Sequence, residues 1–223
     1  MLKSISATNY RSFRRLSVEL APLTLFVGPN NSGKSSIVSV IRLLSQTIES
    51  NDPNVRLLLN GALGDFGTYK DLVHENETRR HLDISFTIIP ETDLRLIRAN
   101  KRSIAFNLQY KYRSSLKEII LKRIECHGDG EHHITAEFSE DSERFLVRRV
   151  ADQDVPPSFA SSGTFHTFDV RNFLPRFALS PPTENLDALA KLAIDKARLV
   201  SRNAFITAHA FQSPEWSCLL MRP

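Results

Sequence analysis

Three short runs dominated by apolar and β-branched residues open the chain, at 2–8, 16–20 and 23–27, and each predicts a strand. Residues 9–15 separate the first two, and Ala21-Pro22 separates the last two, proline marking a turn because it cannot donate to a ladder. Beyond a glycine-bearing loop, Ile37, Val40, Ile41, Leu44 and Ile48 recur at helical spacing, so 34–49 predicts an amphipathic helix, ended by Asn51-Asp52-Pro53-Asn54. Residues 55–73 carry Gly61, Gly64 and Gly67 without a clear period and read as loop plus a short helix. From Arg80 the pattern turns strand-like, at 82–88, 103–112, 118–125, 134–138 and 144–150, and with the turn at Gly128-Asp129-Gly130 it predicts an antiparallel meander. Pro156-Pro157 and Pro181-Pro182 bracket an irregular stretch, after which Leu186, Leu189, Ala190, Ala193, Ile194 and Ala197 predict a second amphipathic helix.

Composition narrows this picture only in part. A hydrophobic share of 41% and a charged share of 24% are those of a folded globular protein. No run approaches the ~18 apolar residues that a membrane span needs, and the start at Met1-Leu2-Lys3-Ser4 lacks a secretory core, so a cytoplasmic protein without membrane contact is expected. Cys126 and Cys218 stand far apart with no second Cys or His at ligand spacing, which points to two reduced thiols and away from a disulfide framework or zinc site. The formal charge of +4 permits a polyanionic partner without requiring one.

The chemistry lies between the third run and the first helix. Gly28-Pro29-Asn30-Asn31-Ser32-Gly33-Lys34-Ser35 fits G-x-x-x-x-G-K-[ST], a pattern that background glycine frequency produces by chance in about one chain in a hundred of this length, or fewer. It is expected between a strand and a helix, the arrangement of a phosphate-binding loop. Glycines at 28 and 33 let the backbone curl so that N–H groups point inward, and a helix start adds about half a positive charge. Lys34 is expected to reach the β- and γ-phosphates of ATP, Ser35 to hold Mg²⁺, and Ser36 to bond the α-phosphate. Asn30, Asn31 and Ser32 line the same loop.

Asn9-Tyr10-Arg11-Ser12-Phe13, followed about fifteen residues later by Gly-Pro-Asn-Asn-Ser-Gly-Lys-Ser-Ser, resembles the amino-terminal end of RecF-like ATPases, a group that includes the structural-maintenance-of-chromosomes (SMC) heads and the overcoming-lysogenization-defect (OLD) type. Gly64-Asp65-Phe66-Gly67-Thr68-Tyr69-Lys70-Asp71 is similar to a stretch of bacterial ATPases of this kind. The resemblance implies an α/β P-loop head with an inserted antiparallel β lobe. Residues 1–50 would form the strands, loop and first helix, 51–180 the lobe, and 181–223 a helix returning toward the core. It also implies Arg11 and Ser12 near the nucleotide, Gln212 near Mg²⁺, a second ATPase head as homo-oligomeric partner, and service in bacterial DNA repair or phage defence with an effector or nuclease. A non-hydrolysing subunit that docks an effector is the rival.

Departures from the family bear on catalysis. Arg80-His81-Leu82-Asp83-Ile84 has too few apolar residues to match the run ending in Asp-Glu, and Leu179-Ser180-Pro181-Pro182 has prolines where a signature loop uses glycines. The chain is therefore expected to be an incomplete head without the carboxylate that positions the attacking water. Between Arg95 and Arg123, Arg98, Lys101, Arg102, Lys111, Arg113, Lys117 and Lys122 leave a nucleic-acid face open. Strand parity, however, groups Phe106, Leu108, Tyr110 and Tyr112 on a core side, which favours a solvated face for the bases. His132 and His133 point to opposite sides of any strand and do not chelate one ion together.

Overall fold

The apolar runs pair into antiparallel strands that share a core with the helix at Lys34–Ile48. A computed structural model of the chain describes residues 1–89, 103–128, 133–141, 143–150, 153–154 and 168–177. A hairpin of β1 (Leu2–Tyr10) and β2 (Phe13–Glu19) leads to α1 (Lys34–Ile48), then a small hairpin of β3 (Asn60–Gly61) and β4 (Gly64–Asp65), α2 (Tyr69–Leu72) and a 3-10 turn at His74–Asn76. The meander follows as β5 (Leu82–Ile88), β6 (Ile104–Arg113), β7 (Glu118–Gly128), β8 (His133–Ser139), β9 (Arg144–Val150) and β10 (Gln153–Asp154), and a last hairpin pairs β11 (Phe168–Arg171) with β12 (Leu174–Phe177).

Eight strands form one antiparallel sheet in the order β10-β9-β8-β7-β6-β5-β1-β2. Because β5 pairs with β1, the sheet runs unbroken across residue 50, where the sequence reading divides head from lobe. Its alternation is regular. Leu82, Ile84, Phe86 and Ile88 are buried on one face of β5, with Asp83, Ser85 and Thr87 half-exposed on the other. Phe106, Leu108 and Tyr110 share the core side as expected, and Tyr112 is half-buried and stacks on Tyr69 at 5.3 Å.

Val40, Leu43 and Leu44 of α1 belong to the same core as Ile5, Ile84 and Phe86. The end of the helix is tied down by polar side chains. Thr47 Oγ1 donates to Leu43 O at 2.7 Å and accepts from Leu58 N at 2.9 Å, and Gln46 Nε2 donates to Leu58 O at 2.5 Å. The β11–β12 hairpin docks on the turn after α1, where Asn172 donates from Nδ2 to Asp52 O and Val55 O, both at 3.1 Å, and from its backbone to Pro53 O at 2.8 Å.

The expected strand at 23–27 is corrected by the structure. β2 runs from Phe13 to Glu19, earlier than the expected 16–20, and residues 23–27 join no strand, with Leu23, Leu25 and Val27 exposed at 81%, 81% and 79%. A turn closed by Ala21 N–H to Thr24 Oγ1 at 3.0 Å leads the chain off the end of β2, and no described strand lies beside it to supply ladder partners. The expected second helix at 186–197, the paired prolines and Cys218 lie outside the described residues, while Cys126 is a free thiol in the core.

Burial pushes the hydroxyls of Tyr10, Tyr69 and Tyr110 and the thiol of Cys126 upward in pKa, the Ser39 hydrogen bond and the Arg11 charge offsetting part of this at Tyr10. The fold favours the neutral form of each. Their contribution is complete below the unfolded pKa values, about 8.5 for Cys and about 10 for Tyr, and is lost as pH rises above them toward the folded values. The unfolding midpoint is expected to stay level near neutrality and fall steadily from about pH 9 upward, with phenolate absorbance appearing together with unfolding. Thermal melts across an alkaline series check this, and a level midpoint through about pH 10.5 would contradict it.

Candidate functional site

The glycine-bearing loop ends where α1 begins. Gly33 is the residue before the first helical turn, at φ 92 and ψ 4, a left-handed conformation suited to glycine. Among the described residues no side chain caps the helix, and its first turn holds no acid. The first N–H groups and the positive end of the helix dipole are thereby left for an external anion. Gly28, Asn30, Asn31 and Ser32 are exposed in the loop, Ser32 N–H closing on Pro29 O at 3.3 Å, and Asn31 takes a φ of 65 that Asn tolerates. Ser35 is exposed on the first turn and Ser36 half-buried.

Lys34 Nζ reaches back over the loop and donates to Gly28 O at 2.7 Å and Pro29 O at 2.6 Å. An ammonium has three donors, so one remains beyond these two. The contacts hold a positive charge over the loop at the uncapped helix start, where a polyphosphate would meet charge and N–H donors together.

The Asn9–Phe13 turn grips the start of α1 at two points. A Cβ built on Gly33 would lie 2.2 Å from Phe13 Cζ, so the Phe13 ring rests directly on the Gly33 backbone. Tyr10, fully buried, shares a 2.7 Å hydrogen bond between its hydroxyl and Ser39 Oγ, and Ser39 Oγ also donates to Ser36 O at 2.8 Å. Sequence reasoning missed these roles.

Arg11 and Ser12 lie between those two grips. Arg11 takes a φ of 48, donates its N–H to Leu72 O at 2.6 Å, and accepts at its carbonyl from His74 Nδ1 at 2.8 Å. Its guanidinium carbon is 5.6 Å from the Phe66 ring centre and 5.8 Å from that of Tyr10. Ser12 is exposed. In the neighbouring segment the Asp71 carboxylate accepts from Thr68 N and Thr68 Oγ1, both at 2.7 Å. These two bonds, the backbone one first, hold the Asp71 acid below its ordinary pKa, with Lys70 and Arg11 adding smaller attractions.

Asp83, the nearest approach to a water-positioning acid, accepts from Gln109 Nε2 at 2.9 Å and alternates with buried Leu82 and Ile84, which places it on the sheet face away from the core. Three of the described basic residues of the meander, Lys111, Arg113 and Arg123, carry acidic partners. Lys111 pairs with Glu140 at 3.2 Å, Arg113 with Glu118 at 2.7 Å, and Arg123 with Glu125 at 2.5 Å and Glu137 at 3.4 Å. Arg95, Arg98, Lys101, Arg102, His132 and Gln212 lie outside the described residues.

A family model described as an AAA ATPase domain matches residues 1–208. No curated protein matches the chain. A solved structure presented under ATP-driven dimerization and DNA-stimulated activation of SMC ATPases covers 58% of this chain and 69% of its own length, at 11% identity and a TM-score of 0.33, a likeness too slight to carry an argument. No helix among the described residues is long and apolar enough to cross a membrane.

Proposed function

The chain belongs to the AAA ATPase domain family, and from that premise we propose that it binds ATP with Mg²⁺ through residues 28–36 as the nucleotide-binding part of a RecF-like or OLD-type ATPase. The observation that carries this reading is Lys34, its ammonium bonded to Gly28 O and Pro29 O over a helix start that no side chain caps. Lys34 would exchange those carbonyls for β- and γ-phosphate oxygens. Gly28, Asn30, Asn31, Ser32 and Gly33 supply the loop backbone, Ser36 the α-phosphate bond, and Arg11 with Ser12 the flank formed by the β1–β2 turn. Ser35, exposed on the first helical turn, fits Mg²⁺ as a hard oxygen donor and would hold it beside the phosphates. Mg²⁺ bound there supplies charge neutralisation of the phosphates.

Under this reading a second ATPase head completes the site, residues 51–180 serve as an inserted lobe and 181–223 as a return toward the head. The service is bacterial DNA repair or phage defence alongside an effector or nuclease. The place of Asp83 on the far face of the sheet supports a second reading, a subunit whose bound ATP stabilises a docking surface without being hydrolysed. Phosphate release by the chain alone separates the two from an autonomous enzyme. Turnover is expected to stay at background although MgATP binds, and Mg²⁺-dependent release that Lys34→Ala abolishes would show that the chain carries its own catalytic acid.

A further inference from the structure

Residues 64–74 carry no clear sequence period, yet they are arranged around one side chain. Phe66 is 5% exposed, and its ring lies 5.6 Å from the Arg11 guanidinium carbon. The same segment pins the Arg11 backbone, through Leu72 O on one side and His74 Nδ1 on the other. Arg11 Nε is buried and meets no hydrogen-bond partner among the described residues, while Asp71, whose charge reaches Arg11, is committed to Thr68. The guanidinium is thus oriented by aromatic faces and not by an acid, which leaves its donors available to an anion.

Gly64 and Gly67 flank Phe66 in the chain. A Cβ on Gly64 would sit 3.4 Å from Phe66 Cζ, and Gly67, at φ 76, would bring one within 2.6 Å of Asp71 Oδ2. Resting on the reading of residues 28–36 as a nucleotide loop, we propose that Phe66 is a positioning residue that holds Arg11 in one orientation for the phosphates of the bound nucleotide. Orienting the guanidinium beforehand removes the ordering cost that a mobile arginine would meet on binding. Phe66 itself touches no ligand.

The test is a double-mutant cycle on the full chain, read as affinity for a ribose-labelled fluorescent ATP analogue with Mg²⁺. Phe66→Leu keeps apolar bulk and removes the ring, and Arg11→Met keeps the stem and removes the charge. Each is expected to weaken binding roughly three- to tenfold with the thermal midpoint of unfolding little changed, and the double variant is expected to be no weaker than Arg11→Met within about twofold. Phe66→Met, which refills the site flexibly, takes the place of Phe66→Leu if that variant loses its unfolding transition. Multiplying effects in the double variant, or wild-type affinity in either single variant, would overturn the proposal. Lys34→Ala in the same titration keeps the two readings apart. Loss of binding there with no effect at Phe66 sinks only the positioning role, and unchanged binding there sinks the nucleotide loop.

Discussion

Lys34→Ala is expected to lower affinity for MgATP by roughly ten- to a hundredfold, the worth of one or two charge-assisted hydrogen bonds to phosphate. The chain should remain folded. Among the described residues Lys34 bonds to two loop carbonyls alone, and the buried part of α1 begins five residues later at Ser39, so stability should change by no more than about 0.5 kcal/mol. Titration of labelled ATP alongside a thermal melt checks both halves. Unchanged affinity would remove the loop from the account.

Gly33→Ala is the second large effect. The added methyl would fall 2.2 Å from Phe13 Cζ and 2.7 Å from Phe13 Cε2, on a residue already at φ 92. The left-handed backbone costs a non-glycine residue about 1–2 kcal/mol, and overpacking against a ring typically adds about 1–3 kcal/mol. A loss of stability of about 2–5 kcal/mol is therefore expected, together with loss of ATP binding as the start of α1 shifts. The two terms separate in combination. Phe13→Ala with Gly33→Ala removes the overlap and keeps the φ cost, so the second methyl should cost only about 1–2 kcal/mol in that background. Equal cost of Gly33→Ala with and without the Phe13 ring would show that the contact carries nothing.

Much of this was legible before any coordinates. Helix α1 is set by Ile37, Val40, Ile41, Leu44 and Ile48 and was placed within one residue at its end, and the meander follows from alternation such as that of Leu82, Ile84, Phe86 and Ile88. G-x-x-x-x-G-K-S located the turn into α1 at Gly33, while the strand expected before the loop is not formed by residues 23–27. Residues 23–27 misled because an apolar run reports a preference for burial, whereas a strand also needs a neighbour with free N–H and C=O groups. Segment 64–74 is legible as loop plus a short helix, which α2 is, and its packing is hidden for a different reason. Its order comes from contacts across the sequence, Leu72 and His74 to Arg11 and Phe66 over the guanidinium, which no local period encodes. The site was half-visible in the same way. In Asn9-Tyr10-Arg11-Ser12-Phe13 the family resemblance points to Arg11, while the aromatic members contact α1, Tyr10 on Ser39 and Phe13 on Gly33.

The central claim is that residues 28–36 hold a triphosphate by its β- and γ-phosphates. Calorimetric titration of the full chain with ATP and with AMP, each in excess Mg²⁺, tests it most directly. One ATP is expected to bind per chain, with AMP weaker by about a hundredfold or more because it lacks the phosphates that Lys34 and the loop N–H groups engage. No heat with ATP, or equal affinity for AMP, would contradict the account.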